Sequence, residues 1–200
     1  MSLNGEKIFA LVVGGGRVGT RKVLSLLASG ATVRVISPAV SAELAEAASE
    51  NASLVIDQRI YNGVDDIGEC QIVFAATDLP VVNARVAADA RLRFRLASIA
   101  DAPTEASFIS MAVHRTGPVT IGISAGNVPS AAGRIRDAVA ARFDDRYGEA
   151  VAACAQLRAD VLAEGGTAEW AKIHPSLIGA DFCARVENAT FSEELAACRS

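Results

Sequence analysis

Residues 12–22 read VVGGGRVGTRK: an apolar run, three consecutive glycines, a fourth at Gly19, then a basic turn. No other stretch narrows the fold as much. The run at residues 8–13 is short and continuously apolar, which suits a strand buried on both faces. Beyond the glycines, Val18, Val23, Leu26 and Leu27 fall at helical spacing, and Gly30 can stop that helix. Gly14-x-Gly16-x-x-Gly19 therefore sits between a strand and a helix, where a dinucleotide-binding fingerprint has its mechanical sense. Gly14 permits the tight turn. Gly16 lets a pyrophosphate approach the backbone, and Gly19 lets the helix lie close to the sheet. The helix N-terminus offers free N–H groups and a partial positive charge to phosphate.

The same alternation continues. ATVRVISP reads as a second strand closed by Ser37-Pro38, and SAELAEAASE as a helix opened by Ser41. SLVIDQRI, CQIVFAATD and FRLASIAD read as three further strands. LPVVNARVAADARLR, with Pro80 in the first turn, is the helix before the last of them. Strand alternating with helix up to about residue 101 predicts a doubly wound parallel α/β sheet of Rossmann type. The pattern then changes. SFISMAVHRTGPVTIGISAG reads as two strands joined at Thr116-Gly117-Pro118, and the segment from Pro129 to Gly165 is strongly helical. The expected organisation is a nucleotide-binding domain over 1–111, a small dimerisation domain over 112–143 and a helical C-terminal domain over 144–200.

Composition removes several function classes. Acidic residues outnumber basic ones 23 to 19, and the net charge of −4 argues against a nucleic-acid partner. No apolar run reaches the roughly 20 residues of a membrane span, so no membrane partner is expected. The start, MSLNGEKIF, lacks a signal pattern. Cys70, Cys154, Cys183 and Cys198 are scattered without a C-x-x-C pair, which reads as reduced thiols in the cytoplasm. His114 and His174 have no ligand spacing, and no metal ligands are assigned.

Candidate site residues come from the ends of the strands. Ala75, Thr77 and Asp78 form a small-residue turn that leaves room for a cofactor, with Thr77 and Asp78 able to reach ribose. The other role open to Asp78 is to cap the helix at Pro80. Asn83, one turn into that helix, reads as either exposed and inert or part of the site. The second strand lacks the acidic residue expected to hold the ribose hydroxyls. Ser37 stands there instead, and Arg34 lies inside the strand, so the motif leaves NAD and NADP open. Asp101 directly follows the fifth strand. It can serve as a general base or metal-facing oxygen ligand, or can simply hold the turn before Pro103.

Four motifs, ALVVGGGRVGTRKVLSLLASGATVRVISP, VFAATDLPVVNARV, ADAPTEASFISMAVHR and ISAGNVPSAAGRIR, occur in the order and spacing of the precorrin-2 dehydrogenase and sirohydrochlorin ferrochelatase family. This family includes the N-terminal region of siroheme synthases. The resemblance covers about residues 9–143. It implies a homodimer that uses NAD to oxidise precorrin-2 to sirohydrochlorin; some members also insert ferrous iron. It implies a nucleotide loop at Gly14, Gly15, Gly16, Arg17 and Val18, and a second nucleotide-facing turn at Ala75, Ala76, Thr77 and Asp78, followed by Asn83. It makes Asp101 the catalytic carboxylate and Ser124 the start of the loop after the hairpin. Met111 stands where the family commonly has proline. Precorrin-2 carries many carboxylates, so Arg115, Arg134 and Arg136 become candidates to bind them in forked pairs. A nucleotide-sensing dimer without catalysis is the other reading; the Asp101-Ala102-Pro103 turn and the hairpin after it favour the enzyme.

Overall fold

The apolar run becomes β1 (Phe9–Gly15), the central strand of a five-stranded parallel sheet, in a computed structural model that describes residues 3–126, 128–191 and 195. Asn127 and Cys198 lie outside the described residues. Contacts group the chain into two units, Met1–Ser110 and Met111–Ser200.

In the first unit β1 is followed by α1 (Arg17–Leu27), β2 (Thr32–Val40), α2 (Ala42–Glu50), β3 (Leu54–Asp57), α3 (Val64–Ile67), β4 (Ile72–Ala75), α4 (Pro80–Leu92) and β5 (Leu96–Ile99). The strand order is β3-β2-β1-β4-β5, all parallel. The chain winds outward from β1 to β3, then returns to build β4 and β5 on the other side of β1. That reversal creates a switch point between β1 and β4, and ligands of open α/β sheets bind beyond the strand ends there.

The unbroken apolar character of β1 follows from burial on both faces. Leu11 and Val13 join one core with Val73, Ala75, Ile67, Val86, Ala87 and Ala90. Ala10 and Val12 point the other way, into a core with Val33, Val35, Phe74, Val23 and Leu44. Ser41 caps α2, its hydroxyl oxygen accepting the Leu44 N–H at 3.1 Å. Two features depart from the sequence reading. β2 runs past Ser37-Pro38 to Val40, because Val40 still pairs with Gly15 across a register shift in β1. α3 lies in a stretch with no readable period. It is held from before its start, where Asp66 accepts two bonds from the Arg59 guanidinium and one from the Asn62 N–H.

In the second unit β6 (Ala112–Thr116) and β7 (Val119–Ile123) pair antiparallel, with Thr116 opposite Val119. They precede α5 (Pro129–Arg142), α6 (Asp145–Glu164), α7 (Gly166–Leu177) and α8 (Phe182–Glu187). The helical run expected from Pro129 to Gly165 breaks at Phe143-Asp144. Asp144 caps α6 by accepting the Arg146 N–H, and the carbonyls exposed at the break are taken up by the hairpin. Thr116 donates to the Asp144 carbonyl at 3.2 Å, and His114 Nε2 lies 2.6 Å from the Phe143 carbonyl. Hairpin and α6 thus belong to one body, whose helical core gathers Tyr147, Cys154, Leu157, Leu177, Val186 and Phe191. Among the described residues no helix is long and apolar enough to cross a membrane, and Cys70, Cys154 and Cys183 are free thiols.

Candidate nucleotide-binding and catalytic site

The glycines of the loop are needed for different reasons. Gly14 has φ +113°, and a Cβ there would stand 2.4 Å from the Ala76 carbonyl oxygen. The turn after β1 is therefore pressed against the turn after β4, and only a residue without a side chain fits. Gly19 is required by helix-to-strand approach: its Cβ would lie 1.9 Å from the Gly14 carbonyl oxygen. Gly16 is the opposite case. Its backbone is ordinary (φ −78°, ψ −173°), and a Cβ would meet nothing within 4 Å. Protein packing does not demand glycine at this position; the open space is on the side from which a ligand approaches.

Gly16 is also the N-cap of α1 and supplies no capping side chain. The first-turn N–H groups thus keep their hydrogen-bonding capacity and the positive end of the helix dipole. A cradle of this kind fits a dinucleotide pyrophosphate. Arg17 and Val18 follow at the helix start and line a groove of about 370 Å³ with Arg21, Leu24 and Glu43.

The loop is braced from behind. The Gly15 N–H donates to Ser37 Oγ at 2.9 Å, and the Ser37 hydroxyl donates to the Ala39 carbonyl at 2.6 Å. Ser37 is buried. Its hydroxyl, expected to face ribose, is committed to holding the loop. Thr20 donates to the Gly16 carbonyl at 3.0 Å and lies 2.8 Å from Ser41 Oγ, tying the loop to α2. Thr20 is a supporting residue that sequence reasoning missed, since its partners become neighbours only in the fold. Arg34 is paired with Asp57, Nε to Oδ2 at 2.8 Å, which explains how a charged residue sits in β2.

Ala75 closes β4, and the turn beyond it carries Thr77 and Asp78. Asp78 is exposed and does not cap α4, whose N-cap is Leu79 with no side-chain bond. Asn83 is not an exposed, inert residue: it is 1% exposed and fully engaged. Its Oδ1 accepts the Thr77 N–H at 3.1 Å and the Thr77 hydroxyl at 2.8 Å. Its Nδ2 donates to the Thr77 carbonyl at 3.0 Å and to Asp101 Oδ1 at 3.0 Å. The Asp101 carboxylate, exposed just beyond β5, is thereby linked to the turn after β4. The loop glycines, Thr77, Asn83 and Asp101 all gather at the carboxyl ends of β1, β4 and β5.

Lys22 on α1 is a further feature that the residue pattern did not flag. Its ammonium lies 5.7 Å from the Phe74 ring centre. Burial, and secondarily the neighbouring Arg21 charge, lower its pKa from the usual lysine value. The three residues expected at the tetrapyrrole belong to the second unit: Arg115 on β6, Ser124 after β7 and Arg134 on α5, all exposed. Arg136 is paired with Asp137, Nε to Oδ1 at 2.9 Å. Among the described residues no group of three His, Cys, Asp or Glu is placed to hold a metal ion.

Known proteins agree with this geometry. The chain is similar to siroheme synthase of Pseudomonas entomophila (strain L48), 36% identical over 155 residues, which is 77% of this chain and 33% of that protein. It is likewise similar to siroheme synthase of Pseudomonas putida (strain W619), 37% identical over 149 residues, 74% of this chain and 32% of the relative. The chain thus spans about a third of the length of these curated relatives. A solved structure titled "SirC, precorrin-2 dehydrogenase" shares the fold, with a TM-score of 0.78 over 98% of both chains at 21% identity. A sequence profile described as "Putative NAD(P)-binding" matches residues 1–112, the stretch that holds the glycine cradle, the Thr77 turn and Asp101. With more than half of its length inside that profile, the chain belongs to this NAD(P)-binding family.

Proposed function

We propose that this protein is an NAD-dependent precorrin-2 dehydrogenase that forms sirohydrochlorin in siroheme biosynthesis, acting in the cytoplasm. The observation that carries the reading is the placement of Asp101. Its carboxylate stands at the carboxyl end of β5 with Oδ1 held by Asn83, on the same edge of the sheet as the Gly16 cradle. The names of the relatives and of the matching structure support the same substrate.

Oxidation of precorrin-2 to sirohydrochlorin removes two electrons as a hydride, together with a proton. Bound NAD supplies the hydride acceptor. The loop residues Gly14, Gly15 and Gly16 and the first turn of α1 at Arg17 and Val18 hold the pyrophosphate. The Ala75–Asp78 turn borders the same ligand, with Thr77 fixed by Asn83. Asp101 takes the proton through Oδ2, the oxygen left open by the Asn83 bond, and passes it to water. Arg115, Arg134 and Ser124 of the second unit serve the substrate carboxylates, where forked guanidinium pairing gives orientation. Residues 112–143 form most of a two-fold interface, since a lone hairpin and helix cannot bury their apolar faces. Val128 and Ile135 in this stretch are exposed in the single chain.

Incubation with precorrin-2 and NAD tests the proposal, read by the sirohydrochlorin and NADH spectra. Stoichiometric appearance of both supports it. Nucleotide binding without turnover overturns it in favour of a sensing module. A second stage supplies sirohydrochlorin and ferrous iron: siroheme formation adds the chelatase reaction, and none limits the protein to oxidation. Light scattering at micromolar concentration tests the dimer, which a stable monomer overturns.

A further inference from the structure

We infer that Asn83 is a positioning residue for Asp101, and that it ties the cofactor-facing turn to the catalytic carboxylate so that the two are set as one unit. The inference rests on the dehydrogenase reading only for its kinetic part; the contact itself stands on geometry.

An amide side chain has two donor hydrogens and an oxygen with two lone pairs. Asn83 uses all four, and all within one buried site: both lone pairs on Thr77, one hydrogen on the Thr77 carbonyl and one on Asp101 Oδ1. The orientation is unambiguous. Exchanging oxygen and nitrogen would set the NH2 against the Thr77 N–H and the oxygen against a carbonyl and a carboxylate, repelling at three contacts. Three bonds to one residue fix the turn. The fourth extends that rigidity to Asp101, which has no other bond among the described residues.

Two chemical consequences follow. The Asn83 N–H can only donate, so it favours Asp101 as carboxylate, the form that accepts a proton. Because it engages Oδ1 alone, it also leaves Oδ2 as the oxygen that meets the reacting centre. Thr77 responds to whatever occupies the turn, since its backbone is clamped to the same amide. A displacement of the turn therefore reaches Asp101 through a single side chain. Asn83 need not touch the cofactor to matter for the reaction; it acts through the two residues it joins.

The test combines Asn83→Ala, Asp101→Ala and the double variant. Asn83→Ala should lower kcat by about 10- to 100-fold, the scale of a misplaced catalytic group. The KM for NAD should change by less than about threefold. In the Asp101→Ala background the same substitution should change residual turnover by less than about twofold, because a group that acts through Asp101 has nothing left to position. Losses that multiply, or an effect on KM alone, overturn the inference and return Asn83 to cofactor binding or packing.

An isosteric pair reads the contact without any substrate. Asn83→Asp keeps both acceptor bonds to Thr77 but sets an oxygen against Asp101, and should lower the unfolding temperature. Adding Asp101→Asn restores a donor to that gap and should recover most of the loss while turnover stays low. An equal loss with and without Asp101→Asn means that the contact is absent, and overturns the inference. If the wild type binds NAD but does not oxidise precorrin-2, the dehydrogenase reading fails while the stability comparison still decides the contact.

Discussion

The carbonyl oxygen of Gly14 lies 1.9 Å from the point where a Cβ on Gly19 would stand, so α1 rests directly on the turn it follows. Gly16, three residues earlier, has open space in the same direction. The motif therefore separates into glycines that the fold requires and one that only a ligand requires.

That separation is measurable. Gly19→Ala should destabilise the protein at the upper end of the about 1–3 kcal/mol typical of overpacking, because backbone must move. Gly16→Asp should keep or slightly raise stability, since Asp is a good N-cap. Its carboxylate would repel the pyrophosphate, and NAD affinity should fall by at least about 100-fold, or ~2.7 kcal/mol. Thermal unfolding and NAD titration of both variants check this; unchanged NAD binding by Gly16→Asp would make the loop structural.

Ser37 should behave as a brace. Ser37→Ala leaves the buried Gly15 N–H without its acceptor. A stability loss of about 1–3 kcal/mol is expected for an orphaned buried donor. Cofactor affinity should fall with it, as the loop loses its rear support. If instead NAD affinity alone changes and the unfolding transition does not, Ser37 contacts the nucleotide rather than the loop.

Asp101→Asn should fold, bind NAD as the wild type does, and lose about 100- to 10,000-fold in dehydrogenase turnover, the usual worth of a general base. Asn is nearly as good as Asp in holding a turn before proline. Near-wild-type turnover in this variant would leave Asp101 a structural role only.

Asp66 gives a pH signature for the α3 region. The hydrogen bond from Arg59, opposed by burial and aided by the Asn62 N–H, lowers its pKa from the usual carboxylate value. A depressed carboxylate contributes stability that is present above the unfolded pKa of about 4 and is lost as pH falls through the lower folded value. Asp66→Asn should therefore unfold a few degrees below the wild type at neutral pH, and the gap should close under acid conditions below about pH 4. A gap that persists in acid would assign the loss to packing. Unfolding scans across that range decide it.

Much of the first unit was legible in the residues. A strand buried on both faces must be apolar throughout, an amphipathic helix must repeat near 3.6, and glycine is the one residue that accepts the φ of Gly14. These are local requirements, and the chain carries them locally. Thus β1, α1, α2, α4 and the loop could be read directly, as could the position of Asp101 after β5.

What the tertiary structure decided are relations between residues far apart in the chain. Ser37 meets Gly15 across 22 positions and Asn83 meets Asp101 across 18. No periodicity encodes such meetings. They arise because parallel strands bring their carboxyl ends to one edge of the sheet. For the same reason Asn83, polar and early in a helix, could be read as exposed, although burial with all four hydrogen bonds satisfied costs it little. The break at Phe143-Asp144 was hidden in the same way, since the groups that take up its carbonyls, His114 and Thr116, lie almost thirty residues upstream in the hairpin.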